Sequence, residues 1–413
     1  MADVQAFRAL YYDRDRVGGL QPVVAPPYDV IDADQRAALI ARSPHNVVEI
    51  DLPQANGDPY GHAAEVFARW QEEGILTRDP EPALWALEQE YTGPDGRVRT
   101  RRGFLARVGI EDYGPGRIRP HERTHPGPKE DRLRLTRATH ANLSPIFSLY
   151  DDPEGAAYGA LEAAKGEPWA EVTDEDGTVH RLWRSADPGA ARAVHDALAG
   201  KELLIADGHH RYETARVHHE EGGAGHVLMC LVALQDPGLT VFPTHRLITR
   251  LDDGRRAALR DAVQRDFEVT EVAPEDLEPV PDGATVRMGY LDAQHRRPLM
   301  LTLRDPGSVA SALHDKPAPY RELDTAVLEA LLLKRALGMT EDDISHLNGL
   351  DYARDTAQAR ERVTGGQAEA AFFMGATPVD RVRDVAAAGE SMPPKSTYFF
   401  PKVLTGMVFN PLD

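Results

Sequence analysis

The sequence predicts an α+β fold of mixed sheets with hairpins and flanking helices. Three observations carry that expectation. ALWALEQEYT and RVRTRRGFLARVGI flank Pro94-Asp95-Gly96, which reads as a hairpin around a tight turn. AEVTDEDGTVHRLWR repeats the arrangement around Asp176-Gly177. Helical spacing, as in HAAEVFARWQEEGIL, is interspersed with these hairpins instead of alternating regularly with single strands, which argues against a doubly wound parallel sheet.

In chain order, the Pro-rich VVAPPYDVI is a loop and DADQRAALIARS a helix capped by Asp32 or Asp34. NVVEIDLP reads as a short strand. After HAAEVFARWQEEGIL and the first hairpin, PHERTHPGPKEDRLRLTRATH begins as a Pro/Gly loop and continues as a helix. The second hairpin leads to the helix PGAARAVHDALAG, the strand KELLIAD, a helix after GHHR, and the buried strand HVLMCLVAL. From about residue 249 to 307 an appended α+β segment carries the strands TVRMGYL and PLMLTLR. LDTAVLEALLLKRALG is an amphipathic helix ending at Gly338, its stripe serving the core or a dimer. AEAAFFMG, the helix PVDRVRDVAAAGE and the tail MPPKSTYFFPKVLTGMVFNP follow.

A chain of 413 residues suggests two or three domains. Its formal charge of −19 repels a phosphate backbone, which disfavours general nucleic-acid binding. The single cysteine, Cys230, lies in an apolar run and reads as a core residue in a reducing compartment. MADVQAFRALYYDRDR has no signal-type apolar region, and no run approaches the roughly 18 residues that span a bilayer. The expectation is a cytoplasmic protein with neither nucleic-acid nor membrane partners. The Ala, Arg, Asp and Gly bias is that of a high-GC bacterium.

The densest chemistry lies in LLIADGHHRYETA. A strand ends at Asp207, Gly208 lets the backbone turn closely, and a helix begins. The first amides of a helix are unpaired and carry partial positive charge, so such a corner suits an anion, phosphate above all. His209, His210 and Arg211 add donors, and arginine can grip phosphate with two nitrogens. Asp207 can cap the helix, bind a metal or take a proton. The plainer reading is a capped helix with surface histidines. A zinc site is not supported, because His209-His210 and His218-His219 lack zincin spacing and no cysteine is near.

Other candidates surround this one. His121, Arg123, His125, Lys129 and Arg132 crowd a short basic span of an acidic chain, as a phosphate clamp or as a solvated loop and helix; Lys129 and Arg132 share a helix face. His245 and Arg246 follow a buried strand. In the tail, Lys395, Ser396 and Thr397 are placed to reach a phosphate or to pack as a strand. On a strand Glu49 and Asp51 would share one face, to hold magnesium, share a proton or stay solvated. No Walker A loop, kinase glycine loop, nucleophile elbow or Rossmann fingerprint appears.

The order FRAL, VVAPPYDVI, NVVEIDLP, HERTHPGPKEDRL, NLSPIF, ADGHHRYETA, PTHRL and MPPKSTYFFPK resembles the domain-of-unknown-function 1015 family over nearly the whole chain. Within it, ADGHHRYETA is similar to the phosphate-binding motif of the ParB/sulfiredoxin superfamily and to its free serine kinases, which phosphorylate L-serine with ADP or ATP and magnesium. That resemblance implies a ParB/sulfiredoxin-like core at 121–250, between an N-terminal α+β segment (1–120) and a C-terminal one (251–413) contributing the MPPKSTYFFPK loop. It makes Gly208, His209, His210 and Arg211 phosphate contacts and Asp207 a metal ligand or general base. Glu49 is the counterpart by position of the kinases' glutamate base. With Asp51, these carboxylates form the implied magnesium set.

The expectation is therefore a nucleotide-dependent kinase of a small hydroxyl metabolite such as free L-serine, with Mg2+ and ATP or ADP. The alternatives are a nucleotide-binding switch without turnover and a phosphatase of a metabolite such as phosphoserine. The clamp reading requires the cationic loops to meet the DGHHR corner in space.

Overall fold

Both hairpins form where the alternation places them in a computed structural model, which describes residues 2–93, 95–124, 126–163, 165–282 and 285–412. The chain divides into two units. The first comprises Met1–Pro120, Thr124–Thr240 and Pro401–Asp413, and the second His121–Arg123 with Val241–Phe400. Pro94, of the first turn, lies outside the described residues.

The first unit opens with β1 (Val4–Gln5), α1 (Ala33–Arg42), α2 (Val48–Asp51) and α3 (Pro59–Glu72). Asp32, and not Asp34, caps α1. Its carboxylate accepts the Gln35 N–H at 2.8 Å while the Gln35 side chain accepts the Asp32 N–H at 3.0 Å, a reciprocal capping box.

The NVVEIDLP segment corrects the strand expectation, because Val48–Asp51 is a single helical turn. Asn46 is the cause. Its side-chain oxygen accepts the Val48 N–H at 3.1 Å, and its amide donates to the carbonyls of Pro22 and Val24. These bonds offer the backbone an alternative to a strand ladder. Val47, Val48 and Ile50 are all buried around the turn. Glu49 and Asp51 therefore do not share a strand face, and positions two apart on a helix do not face each other.

Next come β2 (Leu84–Thr92), β3 (Val98–Gly109), β4 (Ile118–Arg119), α4 (Pro126–Thr139), β5 (Ile146–Tyr150) and α5 (Ala156–Glu162). They are followed by β6 (Ala170–Thr173), β7 (Val179–Ser185), α6 (Pro188–Leu198), β8 (Leu203–Asp207), α7 (His209–Glu220) and β9 (His226–Ala233). Among the described residues nine strands form one sheet in the order β4-β8-β5-β9-β3-β2-β7-β6, with β1 added alongside β3. The pairs β8–β4 and β9–β5 are parallel; the others are antiparallel. Cys230 is buried in β9, as its apolar neighbours predict.

The register of β8 against β5 shifts between Ile205 and Asp207. A bulge re-aims the side chain that follows it. Here it falls one residue before the end of the strand that delivers Asp207 to the corner.

The second unit is a six-stranded antiparallel sheet: β10 (His245–Ile248), β11 (Phe267–Glu271), β12 (Arg287–Asp292), β13 (Leu299–Leu303), β14 (Leu350–Ala353) and β15 (Ala370–Phe373), in the order β11-β13-β12-β15-β10-β14. Adjacent residues point to opposite faces. Ile248 and Phe372 join one core, Leu247 and Phe373 the other, so both faces are covered. The LDTAVLEALLLKRALG helix forms and is followed by Gly338 at φ 66°. It starts as α8 (Asp324–Val327) and continues over Leu328–Lys334 with π-helical turns. No helix among the described residues is long and apolar enough to cross a membrane.

Candidate functional site: the Asp207–Arg211 corner

Gly208 stands between β8 and α7 at φ 92°, in the left-handed region that side chains with a Cβ rarely adopt. No side chain caps this helix. A Cβ at position 208 would sit 2.9 Å from Nε and 3.0 Å from Cζ of Arg211. The glycine thus serves twice, giving the turn its conformation and leaving room for a guanidinium folded back over it.

Arg211 is held by the two residues before β5 and by Asp207. Nη1 donates to the Ser144 hydroxyl at 2.7 Å and to the Pro145 carbonyl, and Nη2 donates to Oδ2 of Asp207 at 3.1 Å. The hydroxyl of Thr405 donates to that of Ser144 at 3.0 Å. On the other carboxylate oxygen, Lys402 Nζ lies 3.2 Å from Oδ1 of Asp207. Burial pushes the Asp207 carboxyl up, but Lys402 and Arg211 outweigh it and hold the group far below the usual carboxylate range.

The backbone that carries Lys402 is clamped by buried polar groups. Gln89 donates to the Lys402 carbonyl at 2.9 Å, and Arg101 Nη2 donates to the Pro401 carbonyl at 2.5 Å. Arg101 Nε donates to Gln89 at 3.0 Å, and its guanidinium stacks 4.4 Å over the Phe147 ring. Burial draws the Arg101 guanidinium down to about 10.

The neighbouring residues of the first unit sort clearly. His209 is buried at the first position of α7, and His210 follows half-buried. Lys129, on α4, has a half-buried side chain with no ion-pair partner among the described residues, and its carbonyl accepts the Thr214 hydroxyl at 3.4 Å. Arg132, one turn on, is committed: Nη1 donates to the Asp51 carboxylate at 3.1 Å and Nε to Asp131 at 2.8 Å, while Cζ lies 4.3 Å over the Tyr28 ring. Burial raises the Asp51 carboxyl even beside Arg132. A cavity of about 40 Å³ is lined by Tyr28, Asp51, Arg132 and Arg211. Glu49 points elsewhere, 3.0 Å from His62 Nε2 and 3.5 Å from Arg36.

The carboxylates expected to hold magnesium form no such set. Among the described residues no group of three or more His, Cys, Asp or Glu is arranged for a metal. Both oxygens of Asp207 already face a cation, and Asp51 faces Arg132. A divalent ion at Asp207 would add to two positive charges, so this arrangement does not fit the ion.

The remaining expected residues, His125 apart, belong to the second unit. His121 is buried, its Nε2 2.9 Å from the Thr397 hydroxyl, and Arg123 lies exposed, 3.8 Å from Glu390. His125 lies outside the described residues. His245 is buried in β10, where Nδ1 accepts the Met374 N–H at 3.2 Å and Nε2 lies 3.1 Å from the Thr356 hydroxyl. Burial and then Arg246 bring His245 down to about 4. Arg246 donates to the Pro394 and Lys395 carbonyls, pinning the MPPKS loop from within. Ser396 is likewise turned inward, onto Thr325 and the Pro393 carbonyl. Lys395 is exposed, at φ 55°.

Sequence reasoning missed Lys402, Ser144 and Arg101. Lys402 stood in the quoted tail beside the stiffer and more conspicuous MPPKS, and no local signal distinguished it. The NLSPIF string that carries Ser144 was noticed only as a part of the resemblance.

No curated protein matches this sequence. Solved structures align at low identity, three of them as follows. A free serine kinase in complex with AMP is 16% identical over 68% of this chain and 83% of its own, with a TM-score of 0.36. A conserved hypothetical protein from Pyrococcus furiosus is 15% identical over 68% and 86%, with a TM-score of 0.35. SbnI from Staphylococcus aureus, truncated at its C-terminus, is 11% identical over 73% and 85%, with a TM-score of 0.37. Likeness at this level assigns no residue a role. The family comparison is broader: the model described as protein of unknown function DUF1015 matches residues 4–326, well over half of the sequence, and the chain belongs to that family.

Proposed function

We propose that the first unit binds the phosphates of ATP or ADP at the Asp207–Arg211 corner and transfers a phosphoryl group to a small hydroxyl metabolite such as free L-serine. The observation that carries this reading is the corner itself. An uncapped helix start, an αL glycine and two cations, Arg211 and Lys402, converge there on one carboxylate. The resemblance of ADGHHRYETA to a phosphate-binding motif supports it.

The chemistry follows from charge. The amides of His209 and His210 open α7 and suit phosphate oxygens. Arg211 and Lys402 offset the charge on the transferring group. Both oxygens of Asp207 are engaged by these cations, which leaves neither open to the proton of an acceptor hydroxyl. Its role in this reading is to hold the two cations in place. Lys129 is a further candidate cation. Glu49 is the base that the resemblance offers: its carboxylate faces Arg36 and His62 and would have to leave them to take the hydroxyl proton as the acceptor oxygen bonds to phosphorus and the bond to the departing nucleotide oxygen breaks. No step is assigned to magnesium. The proposed partners are a nucleotide and a hydroxyl metabolite.

The test is phosphorus NMR of purified protein with ATP or ADP and L-serine. Phosphoserine formation that Arg211→Ala abolishes supports the reading. No transfer to L-serine or to a hydroxyl-metabolite pool contradicts it.

A further inference from the structure

The second unit contains a cavity of about 440 Å³, within the range of small-molecule sites. Every residue lining it falls between Pro279 and Arg381, so it draws on none of the corner's residues. Its wall is mainly apolar, and Val309, Ala310 and Leu323 are part of it. Val280, 83% exposed, is among the few large hydrophobic side chains left open to solvent, and it too lines this space.

The charged groups of the wall balance, and most are paired. Arg287 donates to Asp282 at 2.8 Å, and Arg381 is paired with Glu322. Two remain. Arg321, at the end of the short helix Ala318–Arg321, has no hydrogen-bond or ion-pair partner for its guanidinium among the described residues. Asp324 opens α8, where its Oδ1 accepts the Thr325 N–H at 2.7 Å. Burial raises its carboxyl to about 6, against the opposing effect of Arg246 and of backbone N–H groups. It is a carboxylate with no cation bonded to it in a largely apolar enclosure. The helix it begins runs at once into π-helical turns, which are rare and recur at functional sites.

One unpaired cation and one anion bonded only by backbone N–H groups, both lining an apolar space, complement a zwitterion with an apolar body. We propose that this cavity binds a small apolar α-amino acid, with its carboxylate on Arg321, its ammonium on Asp324, and its side chain against Val309, Ala310 and Leu323.

Isothermal titration with L-phenylalanine and L-leucine tests this, with 3-phenylpropionate and phenethylamine as probes that lack one charge each. The expected result is binding of at least one amino acid, tighter than either single-charge probe. Arg321→Ala and Asp324→Asn should each weaken it tenfold or more. Ala310→Trp, which fills the cavity, should abolish it while leaving the unfolding midpoint and nucleotide binding as in wild type. That last arm separates failure here from failure of the proposed kinase reading. Absence of binding by both amino acids, a single-charge probe binding as tightly, or binding that survives Ala310→Trp overturns the proposal.

Discussion

The ammonium of Lys402 lies 3.2 Å from Oδ1 of Asp207, across 195 residues of chain. With Arg211 on Oδ2, the carboxylate ties the strand end, the first turn of α7 and the returning tail to one point. Lys402→Ala removes one of its two cations and leaves a largely buried carboxylate less compensated. The expected loss is roughly 2 kcal/mol of stability at neutral pH, read from urea unfolding of wild type and variant. Native Asp207 has a proton affinity below that of an unfolded carboxyl, so its contribution is complete above about pH 4 and is lost as pH falls further. The difference between wild type and variant should therefore shrink in acid. A difference that grows below pH 4 would reject the ion pair.

Gly208→Ala tests the turn. A residue with a Cβ at φ 92° is strained, and its methyl would meet Arg211 at 2.9 Å. The expected cost is roughly 1–3 kcal/mol, together with displacement of the guanidinium. Unfolding and nucleotide binding should both suffer. A variant as stable as wild type would show that the turn does not need glycine.

His245 gives the second unit a pH signature. Its native proton affinity is depressed from 6.5 to about 4. The stability it contributes as a neutral ring is present above pH 6.5 and is lost as pH falls toward 4, because the unfolded chain takes up the proton first. The advantage of wild type over His245→Asn should shrink by roughly 2 kcal/mol between pH 7 and pH 4.5. Denaturant titrations at pH 7 and pH 4.5 read it directly, and an unchanged difference would mean that the ring protonates normally in the fold.

Local pattern made much of this molecule legible. Both hairpins follow from alternation around Asp-Gly turns. The corner follows from an apolar strand meeting a glycine and then a helical pattern. The errors arise where distant groups decide. Val48 and Ile50 alternate with Glu49 and Asp51 as in a strand, yet Asn46 bonds back to Pro22 and Val24 and winds them into a helical turn. That turn sends Asp51 to Arg132 and Glu49 to His62. Lys402 acquires its role only because Gln89 and Arg101 grip the backbone there. Lys395, the more conspicuous lysine, belongs to the second unit and offers its carbonyl to Arg246.

The most direct test of the central claim is a thermal-shift titration with ATP and ADP, each with and without magnesium, on wild type and Arg211→Ala. A ligand that binds only the folded chain stabilises it by roughly 2.7 kcal/mol at a hundredfold excess over its dissociation constant. The account predicts a clear rise with at least one nucleotide in wild type and none in Arg211→Ala. No rise in wild type, or an equal rise in both proteins, would contradict a nucleotide site at the Asp207–Arg211 corner.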